Sequence, residues 1–197
     1  MAYPPEEYQN HNQKHLIEVI KNYPLATVIS VKDSKPLITH LPLIYSDGKL
    51  IGHLDINNPQ AKLLKNDAFV TVIFSGPQCY ISPSIFTNAS LPTWNYVMVH
   101  LSGYVKEITD EQKIMQSMIE MTSFLEGAHP HYELAPDNER MAKFIGYVQG
   151  FEIKISSWEG KFKLSQDKKT EDMQRAKEEL IKNNQENIRS FLDFLFT

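Results

Sequence analysis

The chain has one cysteine, Cys79, among 197 residues. That excludes an intrachain disulfide, and since no Cys/His set stands at zinc spacing, nothing in the sequence reads as a structural metal clip. No apolar run approaches the roughly 20 residues that a helical bilayer crossing needs, and the mean hydropathy of -0.36 agrees. The opening MAYPPEEYQN lacks both the basic stretch and the apolar core of a secretion signal, so a cytoplasmic protein is expected. Basic residues are outnumbered, 20 Lys and Arg against 24 Asp and Glu. The resulting net charge of -4 disfavours direct nucleic-acid binding, because phosphates would meet an anionic protein. The common catalytic signatures are missing as well: GxSxG, a Walker loop, GxGxxG after a strand and HExxH.

What remains is an ordinary globular composition, 42% hydrophobic and 22% charged, in a chain long enough to bury a sizeable core. The sequence has no internal repeat and no compositional break. It therefore reads as one domain over 1–197, with 168–197 as a helical extension.

Period-two patterning dominates. A short amphipathic helix around Leu16 to Ile20 stops at Tyr23-Pro24, and strands are expected at Leu25 to Val31, Pro36 to Ile44, Lys49 to His53 and Ala68 to Phe74. Asn58-Pro59 caps and opens a short helix. From Ser75 to Thr93, prolines and glycines among Ser, Asn and Thr predict irregular loop around a short strand at Cys79 to Ile81. Tyr96 to Ile108 is the clearest strand, with Val97, Val99, Leu101 and Val105 on one face. Thr109 and Gln112 form the expected capping box of a helix through Phe124, and a helix at Asp137 to Ile145 precedes the strand Gln149 to Ser157. A long C-terminal helix is expected from Thr170 to Phe196, with Leu180, Ile181, Ile188, Phe191, Leu192 and Leu195 at helical spacing. The fold class is α+β, an antiparallel barrel of six or more strands with peripheral helices.

Few residues point to chemistry by spacing alone. His40, His53 and His100 lie in or at the ends of strands, but without acidic or cysteine ligands beside them they read as hydrogen-bonded structural histidines, and no metal is expected. Cys79 beside Tyr80 and Ile81 reads as a small buried hydrophobe. The helix start at Asn58-Pro59-Gln60, with Lys62 one turn on, suits an anion. The ordinary alternative is a capped helix with a solvated lysine. Gly160 to Lys169 is the most basic stretch, fit either to reach phosphate or to protect a sheet edge. Pro92-Thr93-Trp94-Asn95-Tyr96 offers an aromatic pair and an amide that suit a planar ring or simple packing.

Several blocks in register are more specific. Pro36 to Leu43, Gly52-His53 with Asn58-Pro59-Gln60, Gly76-Pro77 with Tyr80 to Ser84, Pro92 to Tyr96 with Val99-His100 and Gly103, and Lys161 with Lys163 to Gln166 together resemble the PaiB family of FMN-binding negative transcriptional regulators. The resemblance spans about Tyr3 to Asp167. It implies a split β-barrel and a homodimer with FMN in clefts at the subunit interface. Carried over by position, it puts Thr39 and His40 near the flavin and Asn58, Gln60 and Lys62 near its phosphate. Ser82, Ser84, Thr93, Trp94 and Asn95 would shape the cleft, and Lys161, Lys163, Ser165 and Gln166 would close it. The chain departs from the family pattern at Ile56, where Arg is common, at Ile85-Phe86, where Trp-Tyr is common, and at Asp167-Lys168, which replaces Asn-Arg. A flavin-dependent oxidoreductase using the same cleft and a haem-binding relative of the barrel are the alternative functions.

Overall fold

A computed structural model describes residues 3–185. Ile188, Phe191, Leu192 and Leu195 of the expected last helix lie outside them. The strands are β1 (Gln9–Asn10), β2 (Leu25–Lys32), β3 (Lys35–Pro42), β4 (Ile44–Ser46), β5 (Lys49–Asp55), β6 (Phe69–Ile81), β7 (Thr93–Ile108) and β8 (Val148–Lys163). The helices are α1 (Gln13–Asn22), α2 (Glu111–Glu126), α3 (Glu139–Phe144) and α4 (Thr170–Gln185). Three-residue-per-turn segments at Pro59–Lys62 and Pro83–Ile85 matter for the site.

The strands form one antiparallel sheet in the order β3-β2-β6-β7-β8-β5-β4, with β1 paired to β8. β2 and β3 join through a tight turn in which Asp33 and Ser34 both adopt positive φ, the conformation a two-residue hairpin requires. Gly48 supplies the same need between β4 and β5, with φ of 81°. Leu43 interrupts the expected Pro36 to Ile44 strand, turning it inward as a fully buried side chain whose N–H donates to Pro24 O at 2.9 Å.

The structure differs from the sequence reading where local turn signals met a sheet ladder. β6 runs unbroken through Ser75-Gly76-Pro77 to Ile81. Gly76 lies so close to Val97 that a Cβ would sit 3.1 Å from its carbonyl oxygen, so this glycine serves close strand approach and does not end the strand. The buried positions run Val70, Val72, Phe74 and Gly76, then shift phase to Cys79 and Ile81. Pro77 and Gln78 both stay outside, as a β-bulge allows. α2 is capped by Asp110, not Thr109: the Asp110 carboxylate accepts from Gln112 N and Lys113 N at 2.9 and 3.2 Å. β8 continues past Ser157 into the basic stretch because β1 pairs with Gly160 and Lys161.

The described residues fall into two compact units: 3–10, 76–98 and 160–185 form one, and His11–Ser75 with Val99–Glu159 the other. In the second, the core gathers Ala26, Val28, Leu43, Leu50, Val72, Phe74, Val99, Leu101, Phe151 and Ile153, nearly all removed from water. Each of these side chains larger than alanine contributes about 1.5–3 kcal/mol of hydrophobic stabilisation. In the first, Cys79, Ile81 and Phe86 are buried with Ala176 and Leu180 of α4. Among the described residues no helix is long and apolar enough to cross a membrane.

Candidate functional site

In the larger unit, alternation on β2 and β3 sorts the candidate residues onto two sides of the sheet. Ala26, Val28 and Ser30 turn inward, whereas Leu25, Thr27, Ile29 and Val31 turn outward. Register pairs Thr27 with His40 and Val28 with Thr39, so His40 is on the outer side and Thr39 on the inner.

The inner side is a brace. Asn58 caps the Pro59–Lys62 turn by accepting from Gln60 N at 2.9 Å, and its amide donates to Thr39 Oγ1 at 3.1 Å. Gln60, 1% exposed, drives its amide nitrogen between β2 and β3, donating to Val28 O, Leu37 O and Ser30 Oγ at 3.1, 3.2 and 2.9 Å. Its Oε1 is buried with no partner among the described residues. Thr39, Asn58 and Gln60 therefore fix the turn that carries Lys62.

The outer side presents that lysine. Lys62 lines a groove of about 500 Å³ with Ile29, Ser30, Val31, Leu63, Ala68, Phe69 and Thr71. None of the other described residues engages its ammonium in an ion pair or hydrogen bond. Along the same face of β2 lies a second groove of about 480 Å³, lined by Tyr23, Pro24, Leu25, Thr27, His40, Pro42, Ser75 and Leu125. There His40 Nδ1 is 2.9 Å from Thr27 Oγ1. Thr27 and Val31 are four residues apart, about 13 Å along a strand, so cation and imidazole mark the two ends of one apolar strip. Leu25, Val31, Ile38 and Phe69 on this face are each more than half exposed, and Phe69 meets the Tyr104 ring edge-on at 5.5 Å.

The smaller unit holds the remaining candidates in two places. Ser82 Oγ and Ser84 Oγ lie 2.8 Å apart at the surface, and Ser82 caps the Pro83–Ile85 turn by accepting from Ser84 N. Trp94 donates to Gln78 Oε1 at 3.2 Å and tilts against Tyr80 at 6.4 Å, with both rings about half exposed. The second place is a pocket of about 250 Å³ lined by Tyr8, Leu91, Pro92, Thr93, Lys163, Ser165, Asp167 and Lys168. Lys163 donates to Thr93 Oγ1 at 2.6 Å and lies 5.8 Å from the Tyr8 ring centre. Asn95 and Ser165, both buried, exchange hydrogen bonds at 3.0 and 3.2 Å. Ser165 holds a left-handed φ of 61°, the corner from which α4 departs. Lys161 donates to Tyr3 O, and Gln166 to Glu7 O and Phe162 O, so these two tie the N-terminal segment to β8.

Electrostatics in this pocket are set by Asp167. Burial opposes its charge, but the hydrogen bond and positive charge of Lys168, with a further hydrogen bond from Tyr8, hold the carboxyl below its usual range. Tyr8 is pushed up, first by burial and then by the same carboxylate. Sequence reasoning missed Tyr8, Thr27 and Ser30, none of which carries a local motif; only strand register brings them to the candidates. In the larger unit, burial holds His53 below its ordinary pKa, and its Nδ1 is without a partner among the described residues.

Comparison with known proteins adds the family. The model for the family described as "Putative FMN-binding domain" matches residues 2–157. The chain belongs to this family. It is 28% identical over 98% of its length to "Protease synthase and sporulation protein PAI 2" of Bacillus subtilis, of which the match covers 96%. Among solved structures it resembles an FAD and haem binding protein of Mycobacterium smegmatis, with a TM-score of 0.67 and 17% identity over 85% of this chain and 79% of that one. It also resembles the flavocytochrome Anf3 of Azotobacter vinelandii, with a TM-score of 0.60 and 17% identity over 79% and 69% of the two chains. The fold is a split β-barrel, and the PaiB resemblance read from the sequence blocks agrees with the family match.

Proposed function

We propose that the chain binds FMN as a homodimer in the cytoplasm and serves a PaiB-like role in lowering transcription. Membership of the FMN-binding domain family over residues 2–157 supports a flavin. The observation that carries FMN in particular is Lys62, an ammonium without a partner among the described residues, in a groove lined mostly by apolar side chains. A flavin mononucleotide joins an apolar planar ring to a dianionic phosphate, and this groove has the matching chemistry: aliphatic and aromatic walls with one cation. Lys62 would take the phosphate, presented by the Asn58 and Gln60 brace. His40 with Thr27 would border the ring. The resemblance to PaiB separately assigns to the flavin Ser82, Ser84, Thr93, Trp94 and Lys163 of the smaller unit, which are hydrogen-bonding and stacking groups in their own right. Bound FMN supplies a redox-active ring with visible absorbance.

The exposed Leu25, Val31, Ile38 and Phe69 support the dimer, because large apolar side chains left open to water on one sheet face mark an interaction site. The regulatory role rests on the resemblance to PaiB, and with a net charge of -4 it calls for no large DNA footprint.

The test is titration of the purified protein with FMN and with riboflavin, followed by flavin fluorescence and the visible spectrum, with light scattering alongside. Saturable binding of one FMN per chain, tighter than riboflavin, on a dimeric species is expected. No binding of either flavin, or a Soret band from haem in their place, overturns the reading.

A further inference from the structure

In the smaller unit, three consecutive residues after the Ser82/Ser84 pair are each held by α4, and each by a different kind of interaction. Ile85 O accepts from Arg175 Nη1 at 2.9 Å, while Glu171 holds the other end of that guanidinium at 2.6 Å. The Phe86 ring is buried with Ala176 and Leu180. Thr87 gives both its donors to one carboxylate: its N–H to Asp172 Oδ1 at 2.8 Å and its hydroxyl to Oδ2 at 2.9 Å. Asp172 is 3% exposed, so these bonds replace water on a desolvated charge.

The turn itself has little internal support. Its closing backbone bonds, Ile85 N to Ser82 O and Phe86 N to Pro83 O, are 3.4 and 3.2 Å, long for amide hydrogen bonds. Single turns of this geometry are weak in isolation. Buried Ile81 and the Ser82 cap hold the turn from upstream, and α4 holds it from downstream. Residues 85, 86 and 87 are fastened to the helix, and Ser82 and Ser84 stand immediately before the fastening.

We propose that α4 is a strut that positions the Ser82/Ser84 hydroxyl pair, with Asp172 as its positioning residue, so that ligand affinity at that pair and docking of α4 are coupled. This rests on the flavin reading above, with the serines as ligand contacts. Coupling of this kind is reciprocal: a helix that raises affinity is itself held down by the ligand. α4 lies outside residues 2–157, the part of the chain that the family model matches.

The experiment is a double-mutant cycle in the full chain with FMN as the probe: wild type, Asp172→Ala, Ser84→Ala and the double variant, with Asp172→Asn as the conservative control. Asp172→Ala is expected to weaken FMN about tenfold, and Ser84→Ala to abolish that effect, so that the two losses do not add. Asp172→Asn, which keeps an acceptor for Thr87 N–H, should retain most of the affinity. FMN should slow hydrogen exchange in residues 172–180. Equal losses from Asp172→Ala in both backgrounds overturn the proposal, since Asp172 would then act on the unit as a whole. If Asp172→Ala does not fold, Thr87→Val removes only the hydroxyl bond and takes its place in the cycle. Should the wild-type chain bind no FMN, the flavin reading falls, and exchange at the amides of residues 84–87 in Asp172→Ala decides the strut alone. Faster exchange there with α4 still protected supports it, and unchanged exchange overturns it.

Discussion

Thr39 and His40, neighbours in β3, serve opposite sides of the sheet: Thr39 accepts from the Asn58 amide on the inner side, and His40 faces Thr27 in the outer groove. Substituting them should therefore separate stability from binding. Thr39→Val is expected to cost about 0.5–1.5 kcal/mol of unfolding free energy through the lost hydrogen bond, read as a shift in urea midpoint. His40→Ala should leave the midpoint in place and weaken FMN and riboflavin alike, because the groove it borders would take the ring that both share. A loss confined to FMN would move His40 to the phosphate end.

Lys62→Ala carries the phosphate assignment. Removing one charge-assisted bond should cost about 1.5–3 kcal/mol of FMN binding, roughly 10- to 150-fold in Kd, with riboflavin nearly unaffected. Calorimetric titration of both ligands measures the difference. Equal losses would show that Lys62 packs against the ring or braces the turn.

Gln60 makes a purely structural prediction. Gln60→Leu preserves its approximate volume but leaves Val28 O, Leu37 O and Ser30 Oγ without their shared donor. The two carbonyls keep their ladder donors in the β2–β3 pairing, so the loss is that of the side-chain bonds, about 0.5–1.5 kcal/mol each, and FMN should weaken only to the extent that Lys62 moves with the turn. Denaturant unfolding with and without saturating FMN checks both.

Stability against pH should change in two windows, one set by His53 and an acid one shared by Asp172 and Asp167, whose carboxyl is also held low. His53 has a folded pKa lowered by burial, so the unfolded chain binds its proton first. Stability should decline as pH falls through about 6.5, and the decline should cease below the folded pKa. Asp172 has a folded pKa lowered by the Thr87 N–H, with the Thr87 hydroxyl and Arg175 assisting against burial. Its contribution is complete above the ordinary carboxyl value of about 3.9 and is lost as pH falls through the lowered folded value. Urea midpoints followed from neutral to acid should show His53→Gln without the first change and Asp172→Asn with a smaller acid change than wild type.

Phe69→Lys tests the outer face. If a second copy covers Leu25, Val31, Ile38 and Phe69, a charge placed there should leave the monomer folded and shift light scattering from dimer to monomer at micromolar concentration. A wild-type chain already monomeric with FMN present would remove the dimer.

The strands and their faces were legible wherever burial alternates without interruption. The inward set Val97, Val99, Leu101 and Val105 of β7 is buried in the structure, with Asn95 and Gly103 on the same face. The failures share a cause. Pro77, Asp110 and Lys161 lie where a ladder or a cap was decided by a partner distant in sequence or by one of two adjacent acceptors, and local propensity is silent on both. The site was legible by residue type and not by role. Asn58, Gln60 and Lys62 read as one anion-binding turn, yet the fold uses the first two to hold the third. Nothing in the spacing distinguishes a glutamine aimed at a ligand from one plugged between two strands.

The phase shift at Pro77 and Gln78 makes this stretch of β6 unusual in its tolerance of indels. In a regular strand, losing one residue turns every later side chain to the wrong side. Here the strand already carries a spare: without Gln78, alternation from Gly76 would bring Cys79 and Ile81 inward again and leave Tyr80 outside, as they now stand. The cluster beneath α4 would survive the shortening, while the Trp94 indole would lose its acceptor. A chain one residue shorter here would thus keep its buried cluster and lose only the bond that seats Trp94.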